Sequence, residues 1–296
     1  MIVGYQIRLL SGLVVLSLLL AGCSSYRLAY NNIDRILISY IDDYVDLDDD
    51  QRQQLQTSID RWQLQHRQQQ LPIYRDQLLR LRQQLSSPPA NSTAVDRAVV
   101  DTEMVEDWLL QVEQNWQQLR LSWLGPMQSL LSQLQLAQQQ RLLQQLRKRL
   151  QQQRDEYQQR TPSEQQSHRY TQYRKRLQRW SGPLDQDQQQ QLKALVPQLD
   201  DNRPQWFDYR ARWIDQLELL LAQERDAASV ETNLQTLVMQ LQRWQSEQLR
   251  QSRAANRKLW VVYMRDFING LSTTQRNHLV SELDDLIDDA GQLMRK

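Results

Sequence analysis

The chain has 296 residues, enough for one large or two small domains, and 36 Lys+Arg against 35 Asp+Glu leave a formal net charge of only +1. No global basic field is available to recruit nucleic acid, and a single cysteine rules out an intramolecular disulfide, so the fold must rest on packing. Gln, Leu and Arg favour helix, β-branched residues are scarce, and beyond residue 22 only Gly125, Gly182, Gly270 and Gly291 could serve hairpin turns or phosphate-cradling loops. The predicted fold class is all-α.

At the N-terminus, Arg8 precedes an apolar run from Leu9 to Leu20 and then Leu20-Ala21-Gly22-Cys23. A charged region, an apolar core and a small-residue cleavage site come in the order of a secretory signal. The run is shorter than the roughly 20 residues a spanning helix needs. Leu-Ala-Gly-Cys resembles the lipobox of bacterial lipoproteins, which implies removal of residues 1–22 and covalent lipid on Cys23, with no other cofactor. Several acyl chains would tie the chain to a membrane without any lipid-binding surface of its own. By the same resemblance to Gram-negative lipoproteins, Ser24 implies sorting to the outer membrane, periplasmic side, with the inner membrane as the second location.

Further along, apolar residues recur at alternating steps of three and four, as on one buried helix face. Leu55, Ile59, Trp62 and His66 follow this rule, as do Tyr74, Leu78, Leu81 and Leu85 after Pro72. So do Val105, Leu109, Val112, Trp116, Leu119 and Trp123, and near the end Leu279, Leu283, Leu286, Ala290 and Leu293. With punctuation at 86–92, Gly125-Pro126, Ser181-Gly182-Pro183 and Gly270, the predicted helices are 30–45, 48–70, 72–86, 93–124, 126–133, 136–159, 163–180, 185–197, 203–223, 229–268 and 272–294. The stripes are thin, so the architecture expected is elongated, with long antiparallel helices. Residues 23–29 are read as a lipid-anchored tether, 30–180 as an N-terminal bundle and 181–296 as a C-terminal bundle, with one continuous domain as the alternative.

Four strings share one pattern: Leu47 to Gln51, Leu134 to Gln138, Leu184 to Gln188 and Leu271 to Gln275. Each is followed by another leucine, Leu55, Leu142, Leu192 or Leu279. The pattern is a helix start in which Asp48, Asp185 or Ser272 caps free N–H groups and the glutamine three residues on closes a capping box. Gln135 is a poor cap, so the second copy is the weakest. The strings also resemble the repeated motif of the Spy/CpxP periplasmic chaperones, a likeness that implies a thin helical dimer binding unfolded clients.

A broader likeness rests on Leu28-Ala29-Tyr30-Asn31-Asn32, Tyr40 to Leu47, His66-Arg67 and Leu71-Pro72-Ile73-Tyr74, with Arg174 to Trp180, Trp206 to Trp213 and the Leu271 segment as later landmarks. Together they resemble an uncharacterised family of Gram-negative lipoproteins, from which this chain departs at Gln65, where a tryptophan often stands. The resemblance implies an address and no activity.

Trp62, His66, Arg67, Pro72 and Tyr74 form the candidate interaction site: a polar pocket at a helix kink, or a hydrogen-bonded histidine bracing that kink. His66, His168 and His278 lie too far apart for a local metal site, and the acidic runs Asp42 to Asp50 and Glu282 to Asp289 lack the glycine-containing loop of an EF-hand, so no metal is expected. The basic stretches Arg141 to Arg154 and Arg169 to Arg179 are read as solvated faces or as partners of those acidic runs. Trp206, Phe207, Tyr209 and Trp213 are read as core packing or a groove lining. No nucleophile elbow or phosphate loop is present, and Glu103 and Glu106 alone are an unspecific carboxylate pair. The sequence therefore predicts a non-catalytic, membrane-tethered interaction or scaffold protein with an envelope protein partner, and a homodimer is compatible with it. A chaperone or stress sensor is the first alternative and a cell-wall enzyme the second.

Overall fold

A computed structural model of the chain describes residues 24–86, 100–222 and 227–295, and among these it shows helix and no strand. Cys23 and most of the loop read at 86–92 lie outside the described residues. In chain order the helices are α1 (Ser24–Asn31), α2 (Ile33–Val45), α3 (Asp49–Gln69), α4 (Leu71–Ser86), α5 (Thr102–Gln133) and α6 (Leu136–Gln158). They continue as α7 (Pro162–Ser181), α8 (Gln186–Leu195), α9 (Arg203–Ala222), α10 (Ala227–Met239), α11 (Glu247–Asn269) and α12 (Thr273–Leu293). The all-α expectation holds.

Local chemistry accounts for most of the boundaries. Asp48, Thr161, Asp185 and Ser272 cap α3, α7, α8 and α12 with complete capping boxes, and Asp101 caps α5 through Met104 N–H. At α6 the side chain of Gln138 closes on Gln135 N–H at 2.9 Å. Asp46 ends α2 with a left-handed φ of 60°, which its short polar side chain tolerates, while Asp42 Oδ1 accepts from Leu47 N–H at 2.8 Å.

Three boundaries differ from the sequence reading. Helix α5 runs unbroken through Gly125 and Pro126 for 32 residues, because packing at its C-terminal end holds the turn that loses proline's hydrogen bond. The single helix expected over 229–268 is two. It breaks at Gln240 and a 3₁₀ turn, Leu241–Trp244, before Ser246 caps α11 through Leu249 N–H at 3.1 Å. The segment read as a tether is, from Ser24 onward, helix α1, and α1 packs against α12.

Three apolar cores organise these helices. The first joins Leu85, Val105, Leu177, Leu192, Phe267 and Leu283, drawing on both sides of residue 181. It is built around the long contact of α12 with α4, supported by α7 and α11. The second gathers Ile38, Val45, Leu55, Ile59 and Leu134 from α2, α3 and the turn into α6. The third gathers Leu143, Ile214, Leu217, Leu234 and Leu237 from α6, α9 and α10. Helix α5, about 48 Å long at 1.5 Å per residue, contributes Val105 to the first core and packs Leu130 and Leu131 against the second.

The middle of α5 lies between those cores. There the stripe expected to be buried is open: Val112 is 50% and Trp116 59% exposed. Periodicity identifies a face that could be covered, and coverage requires an opposing helix at that height.

Candidate functional site

The sequence-predicted cluster assembles at the junction of α3 and α4. Gln70 N–H still reaches His66 C=O at 2.9 Å and Tyr74 N–H reaches Gln70 C=O at 3.0 Å, so the chain passes Pro72 with little loss of helix. The His66 imidazole is buried between aromatic rings, with centroids 5.1 Å from Trp62, 5.6 Å from Tyr74 and 5.7 Å from Tyr30. Burial pushes its pKa down to about 4. The neutral ring then accepts a hydrogen bond at Nδ1 from the Tyr30 hydroxyl, 2.8 Å away.

Tyr30 itself is pushed up to about 12 by burial, against the opposing pull of Arg67. The Arg67 guanidinium lies 5.4 Å from the centre of the Tyr30 ring and donates to Asn31 Oδ1 at 3.0 Å. Trp62 Nε1 donates to Ser122 Oγ at 2.8 Å, and its ring lies 4.5 Å from that of Trp123 on α5. The cluster thus locks α1, α3, α4 and α5 together. Trp62, His66, Arg67 and Tyr74 share one neighbourhood, and Pro72 sits beside it in the first turn of α4. Tyr30 and Trp123 are members that sequence reasoning did not place there, because their contact follows from helix docking.

The acidic and basic runs partly find each other. Asp43 meets Arg149 at 3.5 Å and Asp46 meets Arg141 at 3.2 Å, while Arg147 and Arg154 turn to Glu218 and Asp208 on α9. In the second acidic run Asp284 pairs with Arg82 at 2.9 Å and buried Asp289 with Arg27 at 2.9 Å. Arg27 also bonds Gln292, and Arg179 bonds the Tyr26 hydroxyl, so α1 is fastened to both α12 and α7. Glu106 is held by Arg257 at 2.7 Å, whereas Glu103 lies exposed in the first turn of α5. No three His, Cys, Asp or Glu among the described residues are grouped to hold a metal ion.

The four leucine–glutamine strings carry a second feature that capping alone does not require. Gln51 and Gln138 bond each other reciprocally at 2.9 and 2.7 Å, and Gln188 and Gln275 do the same at 2.9 and 2.7 Å. In both pairs the partners are 87 residues apart. Each amide nitrogen also donates to a backbone carbonyl at the partner string: Gln133, Asp46, Gly270 and Pro183 in turn. Each amide oxygen also accepts its own N-cap N–H. Every donor and acceptor position of these amides is filled. The equal spacing was visible in the sequence, and it was the signal that the strings act in pairs.

Trp206, Tyr209 and Trp213 line an open cleft of 560 Å³ together with Tyr40 and Tyr44. Phe207 is buried, with Tyr157 edge-on at 5.7 Å, and borders an adjacent cleft of 410 Å³. Both readings of these aromatics therefore apply, each to different members.

A family model, "Family of unknown function (DUF6279)", matches residues 43–250. The chain belongs to this family. The matched stretch contains His66-Arg67, Leu71 to Tyr74, the lining of both clefts apart from Tyr40, and three of the four glutamine strings. Membership establishes kinship and no activity. No curated protein and no solved structure matches the chain. Among the described residues no helix is long and apolar enough to cross a membrane.

Proposed function

We propose that this family member is a non-catalytic interaction protein of the bacterial envelope, held to the periplasmic side of the outer membrane by lipid on Cys23. It presents the middle of α5 to a protein partner. The observation that carries the reading is the open apolar pair Val112 and Trp116 on a helix whose two ends are locked into cores. Exposed tryptophans are common anchors of protein interfaces, and exposed apolar surface around them marks such sites. The address is supported by the Leu20-Ala21-Gly22-Cys23 string and Ser24. Helix α1 starts at Ser24 and is fastened to α12, so lipid on the preceding residue would hold the helical body close to the membrane.

The test is in-cell photo-crosslinking from position 116, followed by mass spectrometry. One recurring envelope protein, lost in Val112→Asp, supports the interface. A broad set of unfolded clients would replace it with the chaperone alternative, and a crosslink to a second copy would make the partner a homodimer. For the anchor, Cys23→Ser should abolish acyl labelling and leave unprocessed precursor; persistent labelling would remove the lipoprotein reading.

A further inference from the structure

Several arginines elsewhere in the described chain are paired with carboxylates at close range: Arg82 with Asp284 at 2.9 Å, Arg147 with Glu218 at 2.7 Å and Arg257 with Glu106 at 2.7 Å. Around the 560 Å³ cleft such pairing is sparse, and the one carboxylate is held by Arg149. Arg120, on α5, makes no hydrogen bond or ion pair among the described residues, and its Nε is buried without a partner. Arg210 bonds the neutral Oε1 of Gln153 at 2.7 Å. Arg149 donates to the Tyr44 hydroxyl at 2.7 Å and stacks 4.1 Å from that ring's centre; its one carboxylate, exposed Asp43, stands off at 3.5 Å. Arg253, 5.4 Å from the Trp206 ring centre, bonds only neutral Gln245 through its side chain. Among the described residues, none that lines the cleft is acidic.

The walls between these cations are apolar: Trp206, Trp213, Met127, Leu146, Leu150 and Val238. Three guanidiniums, Arg253, Arg120 and Arg210, act on the single buried hydroxyl of Tyr209 and oppose the rise that burial gives it. Uncompensated cations beside apolar walls lack part of their hydration, and an anion entering the cleft would restore hydrogen bonds that water supplies poorly there. The volume falls within the range of about 300–1,000 Å³ usual for a small-molecule site.

We propose that this cleft, between α2, α5, α6, α9 and α10, binds a single-chain anionic amphiphile, with its carboxylate or phosphate head on Arg120 and Arg210 and its chain against Trp206 and Trp213. The site is separate from the interface proposed on α5 and does not depend on it.

The test is calorimetric titration of decyl phosphate, below its micelle concentration, into the full chain held in zwitterionic nanodiscs, with empty discs as the blank. Saturable one-to-one binding is expected, weakened about tenfold or more by Arg120→Met and by Arg210→Gln. Decanol, which lacks the charge, and inorganic phosphate, which lacks the chain, should each bind at least about tenfold more weakly. Equal binding of decanol or inorganic phosphate would overturn the proposal. So would unchanged affinity in Arg210→Gln, whose exposed side chain can be replaced without disturbing a core. An acidic peptide that displaces decyl phosphate and binds more tightly would reassign the cleft to protein recognition, and attachment only to anionic vesicles would reduce it to surface charge.

Discussion

At the scale of single residues, the aromatic box around His66 ties stability to pH. Above the unfolded pKa of about 6.5 both folded and unfolded chains hold a neutral imidazole, and the buried ring carries no penalty. As pH falls from there towards about 4, the unfolded chain takes up a proton that the folded site refuses, so stability is lost across that window. The loss is at most about 3 kcal/mol, the free energy of the shift. In His66→Gln the amide can still accept from the Tyr30 hydroxyl, and the stability difference between pH 7.5 and 4.5 should shrink by about that amount. Parallel thermal melts of the two proteins at both pH values measure it, and equal slopes would show that His66 does not carry the dependence. His66 was legible in the sequence as a member of a buried stripe. Its hydrogen bond to Tyr30 was not, because 36 residues separate the two and only the docking of α1 beside α3 joins them.

At the scale of elements, the helix starts combine a local hydrogen bond with a long-range one. A capping box uses local sequence, and all four strings announced one; a reciprocal amide pair joins two elements and depends on their placement. Replacing Gln275 with Leu leaves the Gln188 amide, 4% exposed, without its partner, and it removes the donor to Pro183 C=O. A buried polar group left unsatisfied costs about 1–3 kcal/mol, so Gln275→Leu should lower stability by about 2 kcal/mol in denaturant titration. The double variant Gln188→Leu with Gln275→Leu should lose less than the sum of the single losses, because an apolar pair strands no amide partner. Strict additivity would mean that the reciprocal bonds contribute nothing. The same distinction separates the helix breaks. Gly125-Pro126 reads as punctuation, yet tertiary packing carries α5 through it, whereas the break at 240–246 carries neither Gly nor Pro and is made by Ser246 capping and the burial of Gln245.

Over the whole molecule, the first core ties together residues before and after residue 181. Leu283 on α12 is 2% exposed and shares that core with Leu85 and Leu177, which precede residue 181, and with Leu192 and Phe267, which follow it. Leu283→Ala should cost about 3 kcal/mol. Hydrogen exchange should show lost protection in α4 and α7 as well as in α11 and α12. Loss confined to residues after 181 would instead mark two independently stable bundles.

The sequence by itself determined the helical class, most helix ends and the buried stripes of α3 and α12. Each of these follows from neighbours within one or two turns, through periodicity and capping. The tertiary structure alone decided which stripe goes uncovered, which glutamines meet and which arginines are left without carboxylates. Val112 and Ile59 obey the same periodic rule, and one is half exposed while the other is 0% exposed. The physical reason is that burial, amide pairing and charge compensation belong to pairs of surfaces, and one strand of sequence describes only one surface of each pair.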